Sequence, residues 1–132
     1  MIENAEKNSG AVWARKKDRR VTKIGSILRR TSIDELPQLY NVFKGEMSLI
    51  GPRPEREVFV NKFKKTIPNY NKRHEMKVGI TGLAQVNGFR GNTSLEKRIE
   101  LDLYYIKNWS FYLDLKIIIL TFIRGFINPN AY

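Results

Sequence analysis

The chain of 132 residues contains no cysteine. That excludes disulfides, thiolate metal sites and a cysteine nucleophile, and it suits a reducing compartment. Histidine is almost as scarce: His74 stands alone, flanked by Arg73 and Glu75. A lone histidine is more often structural or solvated than catalytic, and it is left out of the candidate site. No apolar run matches the roughly 20 residues that a membrane-spanning helix needs. The opening MIENAEKNSG carries Glu3 and Glu6 and no apolar stretch, so it reads as neither a signal peptide nor an anchor. Internal repeats and low-complexity tracts are missing as well. Acid is in short supply: 13 Asp and Glu stand against 24 Lys and Arg, a formal net charge of +11.

That excess favours an anionic partner: nucleic acid, an anionic membrane face or a phosphorylated substrate. Hydrophobic residues make up 42%, too many for a disordered tail, and the length suits one domain with a modest core. Residues 1–20 read as a polar, basic N-terminal segment, with RKKDRR (15–20) a solvated loop and Trp13 the odd apolar residue that packs on something. The rest, 21–132, reads as the folded domain. Ile24, Ile27 and Leu28 suggest a short helix. Leu36, Leu39, Tyr40 and Phe43 give the next helix one apolar face, with Gly45 as its stop. Pro52 and Pro54 bracket Arg53 in a rigid turn that presents a guanidinium. Residues 55–77 are charged and partly helical, broken at Pro68. KVGITGLAQVNG reads as a glycine-rich loop or short strands. SLEKRIELDLYYIKN is a clear helix, with Thr93 and Glu96 spaced as a capping box. Leu95, Ile99 and Ile106 line its apolar stripe, and Asp102 falls within it. A carboxylate facing the core needs a cation, and Arg53 is the candidate. The last segment, 111–127, is apolar nearly all round; it fits a helix lying in a membrane interface, with Lys116 and Arg124 reaching to headgroups. The aromatics Tyr104, Tyr105, Trp109, Phe111 and Tyr112 just before it are core packing by default, or an interfacial belt. The expected fold class is mainly α with short strands and irregular loops (α+β).

The chemistry concentrates in TSIDELPQLYN. Asp34 and Glu35 are the only adjacent carboxylates in the chain. Two readings stand side by side. One is capping: Ser32 and Glu35 fit a capping box, or Asp34 is the N-cap with Pro37 at the third helical position, where its missing N–H costs nothing. The other is a nucleophile beside a metal-holding acid, since a carboxylate can attack phosphorus and a neighbour can hold Mg²⁺. Arg53 is either a surface turn residue or a fork for phosphate. The glycines at 79, 82 and 88 match no phosphate-loop spacing, so loop geometry explains them better.

Taken together, TSIDELPQLYNVFKGEMSLIGPRPE, VGITGLAQVNG and LDLYYIKNWSFYLDLKIIILT resemble the bacterial sugar transferase family, polyprenyl-phosphate phosphoglycosyl transferases of the monotopic membrane type. The likeness runs from about Arg20 to the C-terminus. It implies transfer of a sugar 1-phosphate from a UDP-sugar to undecaprenyl phosphate on the cytoplasmic face of the bacterial inner membrane. UMP leaves, and the step begins exopolysaccharide, capsule, O-antigen or glycan assembly. It further implies Asp34 as nucleophile on the β-phosphate through an aspartyl phosphosugar intermediate, Asp34 and Glu35 as the Mg²⁺ site, Arg53 as a phosphate binder and Asp102 in support. Family members carry an N-terminal re-entrant membrane helix and a basic stretch, so the resemblance places this chain as the C-terminal part of a transferase. Two rival readings are a non-catalytic fragment docking on membranes through 111–127 and a basic nucleic-acid-binding module. No helix-turn-helix, zinc-finger or RNP-like signature supports the latter, and no nucleic-acid partner is expected.

Overall fold

The computed structural model describes residue 10 and residues 20–31, 33–91 and 93–125. The expected basic loop and Trp13 lie outside these residues. The folded part opens with α1 (Lys23–Arg30), capped by Thr22, whose Oγ1 accepts from Gly25 N at 3.1 Å. A single 3-10 turn, Ile33–Glu35, leads into α2 (Leu36–Phe43). Asp34 is therefore not the N-cap of α2. That position falls to Glu35, which makes no side-chain cap, and Pro37 sits in the first turn where a missing N–H is harmless. The capping box with Ser32 involves a residue outside the described set.

Two short parallel strands follow, β1 (Ser48–Ile50) and β2 (Gly79–Thr81), with Ser48 opposite Gly79 and Ile50 opposite Thr81. The crossover holds α3 (Glu57–Thr66) and a 3-10 segment, Tyr70–His74. Parallel strands need such a crossover, and the charged run 55–77 provides it. The glycines of this region are there for close approach. A Cβ on Gly79 would run into the Gly51 backbone, and one on Gly82 into the Gly51 carbonyl. This lets the Gly51–Pro54 turn lie directly against β2, with Gly79 N donating to Pro52 O at 2.9 Å. The loop-geometry reading of these glycines holds for Gly79 and Gly82.

Beyond β2 come the single turn α4 (Leu83–Val86), α5 (Leu95–Lys107) and α6 (Phe111–Gly125). The cap of α5 is Ser94, accepting from Lys97 N, and not Thr93. Thr93 instead takes a bond from Arg98. Two apolar clusters form. Ile50, Leu83, Val86, Tyr105 and Ile117 join the strands to α4–α6, and Phe63, Tyr70 and Ile99 join the crossover to α5. The architecture is mainly α with two short strands, as expected. Of the aromatic group near the α5–α6 junction only Tyr105 is core; Phe111 and Tyr112 are 78% and 77% exposed. Burial and the bond from its hydroxyl to Asp114 push the Tyr105 phenol above its ordinary range. Asp114 also takes the Trp109 indole N–H at 3.1 Å, which pins the start of α6 to the end of α5.

Candidate active site

Glu35 is where the fold converges. Its Oε1 accepts from Arg53 Nη2 at 2.9 Å and from Arg90 Nη2. These cations come from 18 and 55 residues further along the chain. Glu35 is half-buried, and its carboxylate is thus an ion-pair partner, not a helix cap. Asp34 shares the 3-10 turn but is exposed, and among the described residues it makes no hydrogen bond or ion pair. It still lies within electrostatic reach of Arg90. The Arg90 guanidinium is held below its usual range, first by burial and then by the Arg53 charge. One carboxylate is thus clamped and its neighbour is open.

Each arginine is positioned by its backbone. Arg53 stands between Pro52 and Pro54, as expected, and its carbonyl takes a bond from the buried Arg73, Nη2 to O, at 2.8 Å. Arg90 sits on the loop between Gly88 and Gly91, both with positive φ (85° and 63°), a conformation that glycine adopts without strain. Helix α5 ties both loops down. Its Arg98 bonds Glu55 Oε1 at 2.7 Å, two residues past Arg53, and Gly91 O at 2.5 Å, next to Arg90.

Asp102 is buried, as its place in the apolar stripe predicts, but its cation is Arg73, not Arg53. The Nη2–Oδ2 distance is 2.8 Å, and the side chains are 1% and 3% exposed. Arg73 Nη1 also donates to the Tyr70 hydroxyl at 3.1 Å. Arg53 is excluded because its guanidinium is already turned toward Glu35. The two are linked all the same, since Arg73 Nη2 bridges Asp102 to the Arg53 carbonyl. Removing one member of a buried pair leaves an uncompensated charge, at a cost of about 3–5 kcal/mol. Asp102 is therefore a support for the turn and not a wall of the cleft.

A cleft of about 220 Å³ opens beside Glu35 and Arg90. Leu36 and Leu39 of α2 form one side, and Leu120, Thr121 and Arg124 of α6 the other. Its floor is Ile80 and Thr81 of β2 with Gln85 and Val86 of α4. The Thr81 and Thr121 hydroxyls lie 2.8 Å apart and fasten α6 to β2. Glu35, Arg90 and Arg124 supply its charged groups, and Leu36, Leu39, Ile80, Val86 and Leu120 its apolar lining. His74 stays outside it, edge-on to Tyr70, with its pKa lowered by burial and by Arg73.

Among the described residues no group of three or more His, Asp or Glu is arranged to hold a metal. Asp34 and Glu35 supply two carboxylates, of which Glu35 Oε2 carries no hydrogen bond among those residues. Such a donor set fits a Mg²⁺ that takes one or two carboxylates and completes its shell with substrate phosphate and water. It does not fit a cage built from protein alone.

Arg73 and Arg90 were not expected from the sequence. Arg90 had no firm signal: the glycines at 88 and 91 permit the conformation of its loop but do not fix it as prolines would. Arg73 had only an indirect one, the demand of Asp102 for a cation, which names no particular residue of the 24 Lys and Arg.

The bacterial sugar transferase family model matches residues 1–128, so the likeness extends into the polar first twenty residues. A UDP-glucose:undecaprenyl-phosphate glucose-1-phosphate transferase of Klebsiella pneumoniae is 52% identical over the whole of this chain and 29% of its own length. The protein of the same name in Escherichia coli K12 is 48% identical over 96% of this chain and 28% of its own length. A UDP-N-acetylgalactosamine-undecaprenyl-phosphate N-acetylgalactosaminephosphotransferase of Aeromonas hydrophila is 47% identical over 96% of this chain and 31% of its own length. The chain thus spans less than a third of these relatives. With a match of this extent, the chain belongs to the bacterial sugar transferase family.

Proposed function

We propose that this chain carries the chemistry of sugar 1-phosphate transfer from a UDP-sugar to polyprenyl phosphate. The observation that carries this reading is the contrast within the acid pair: Glu35 is clamped by Arg53 and Arg90, while Asp34 is open at the same turn. An open carboxylate just before a helix, within electrostatic reach of the Arg90 guanidinium, is placed to act as a nucleophile next to a phosphate site. An Asp34 oxygen attacks the β-phosphorus of the donor. The new O–P bond forms as the bond from that phosphorus to the bridging oxygen breaks, and UMP leaves with that oxygen and its electron pair. A phosphate oxygen of the acceptor then attacks the same phosphorus, and the Asp34 carboxylate leaves unchanged. Arg53 and Arg90 hold the diphosphate and stabilise charge that builds on its oxygens. Asp34 and Glu35 would hold Mg²⁺, which when bound offsets the charge of the diphosphate. Asp102, through Arg73, keeps the Arg53 turn in place.

The relatives' names support the class of reaction and disagree on the sugar, so the donor is open. The acceptor's lipid tail and the exposed apolar side chains of α6 together favour work at an anionic membrane surface, on the cytoplasmic face where UDP-sugars are found. Among the described residues no helix is long and apolar enough to cross a membrane. The test is UMP release from UDP-glucose, UDP-galactose and UDP-N-acetylgalactosamine with Mg²⁺, detergent and polyprenyl phosphate. Release from one donor, lost by at least about 10³-fold in Asp34→Asn, is the expected result. Equal release by the variant would remove Asp34 from the chemistry.

A further inference from the structure

One oxygen of Glu35 holds two guanidinia. Arg53 Nη2 lies 2.9 Å from Oε1, and Arg90 Nη2 shares the same atom. The cluster is two cations against one anion, and the guanidinia repel each other: after burial, the Arg53 charge is what lowers the Arg90 pKa. Glu35 is what lets them stand side by side. Yet neither arginine depends on Glu35 for its backbone position. Arg53 is fixed by its two prolines and by Arg73, and the loop of Arg90 by the Arg98 bond to Gly91 O. Both guanidinia remain accessible, at 31% and 23% exposure, and Arg90 lines the cleft. Two forks fixed from behind, sharing a single carboxylate oxygen, form a ready anion site with a small occupant. A diphosphate brings more charge and more oxygens to the same forks.

We infer that Glu35 is an internal counter-ion of the free protein, and that the donor's diphosphate displaces it from Arg53 and Arg90. This rests on the proposed function only in naming a diphosphate as the anion. Exchange keeps an anion against the arginine pair throughout, so the two cations are never left unpaired in a partly buried site. It also releases the Glu35 carboxylate only once a phosphate group has arrived.

The test is calorimetric titration of inorganic pyrophosphate in EDTA, which needs neither turnover nor metal. Glu35→Gln removes the competing charge and is expected to bind pyrophosphate about tenfold tighter than wild type, the worth of one charge-assisted hydrogen bond. Arg90→Gln is expected to bind it more weakly than wild type. Inorganic phosphate is the second arm and is expected to gain less from Glu35→Gln. An equal gain would support the exchange and assign the site to a monophosphate such as the acceptor's, overturning the donor assignment. Glu35→Gln binding pyrophosphate no tighter than wild type overturns the inference. Should that variant fold poorly, wild type labelled with ¹³C at glutamate carboxyls decides the same question. The Glu35 signal should move on pyrophosphate addition, and a signal that stays put contradicts the exchange. Absent UMP release together with tighter pyrophosphate binding would sink the transfer reading and leave this one standing.

Discussion

Burial pushes the Asp102 carboxyl up from its ordinary 3.8 to about 6, even though Arg73 and Arg98 pull it down. The folded protein therefore holds this proton more tightly than the unfolded chain does. Its contribution to stability is present in full below about pH 4 and is lost as pH rises through about 6. Because Asn imitates the neutral acid, the stability of wild type relative to Asp102→Asn should fall as pH is raised from about 4 to about 7. Denaturant melts at each pH read this directly, and a relative stability that grows with pH would contradict it. The same residue shows how far the sequence could be read. An acid in an apolar stripe announces a buried cation, because an unpaired charge there would not be tolerated. Which cation answers depends on where the crossover places Arg73, a long-range matter that no local pattern encodes. Asp34, Glu35 and Arg53 were readable because local chemistry marks them: an acid pair at a helix start and an arginine locked between prolines. Arg90 joins them only through the folding of two distant loops onto α5.

Helix α6 has two apolar faces with different fates. Ile117 is completely buried against the strands, while Phe122 and Ile123 are 66% and 55% exposed. A helix apolar all round must cover its second face with something. Here the proposed cover is the membrane interface, with the exposed Lys116 available to headgroups; Arg124, expected to do the same, instead donates to the Val86 carbonyl and lines the cleft. The protein should co-sediment with vesicles rich in phosphatidylglycerol, less so at high salt. The double change Phe122→Ser with Ile123→Ser should weaken that association at least about tenfold, since each large side chain contributes about 1.5–3 kcal/mol when buried. Association unaltered by the double change would rule out α6 as the contact. Helix positions were legible from the periodicity of Leu36, Leu39, Tyr40 and Phe43 and of Leu95, Ile99 and Ile106. The fate of the faces was not. The periodicity of α2 marks one apolar face, yet Phe43 on that face is 89% exposed. Periodicity reports that a face is apolar and says nothing of what it meets.

Across the molecule, three loops far apart in sequence bring Glu35, Arg53 and Arg90 together, and Glu35 and Arg90 line a single cleft. Helix α5 is the common anchor, through Asp102 and Arg73 to the Arg53 turn and through Arg98 to the Glu55 carboxylate and the Gly91 carbonyl. The short parallel strands set the Gly51–Pro54 turn against β2 because glycine alone permits that approach. In the proposed reaction the basic surplus would serve a site that holds phosphate groups twice, on donor and acceptor. The decisive measurement is intact-protein mass spectrometry of wild type mixed with its UDP-sugar donor and Mg²⁺ but no acceptor, followed by peptide mapping. The expected result is a gain of one sugar phosphate on Asp34, absent in Asp34→Asn and removed when polyprenyl phosphate is added. UMP release with no adduct, or an adduct on another residue, would contradict the role assigned to Asp34.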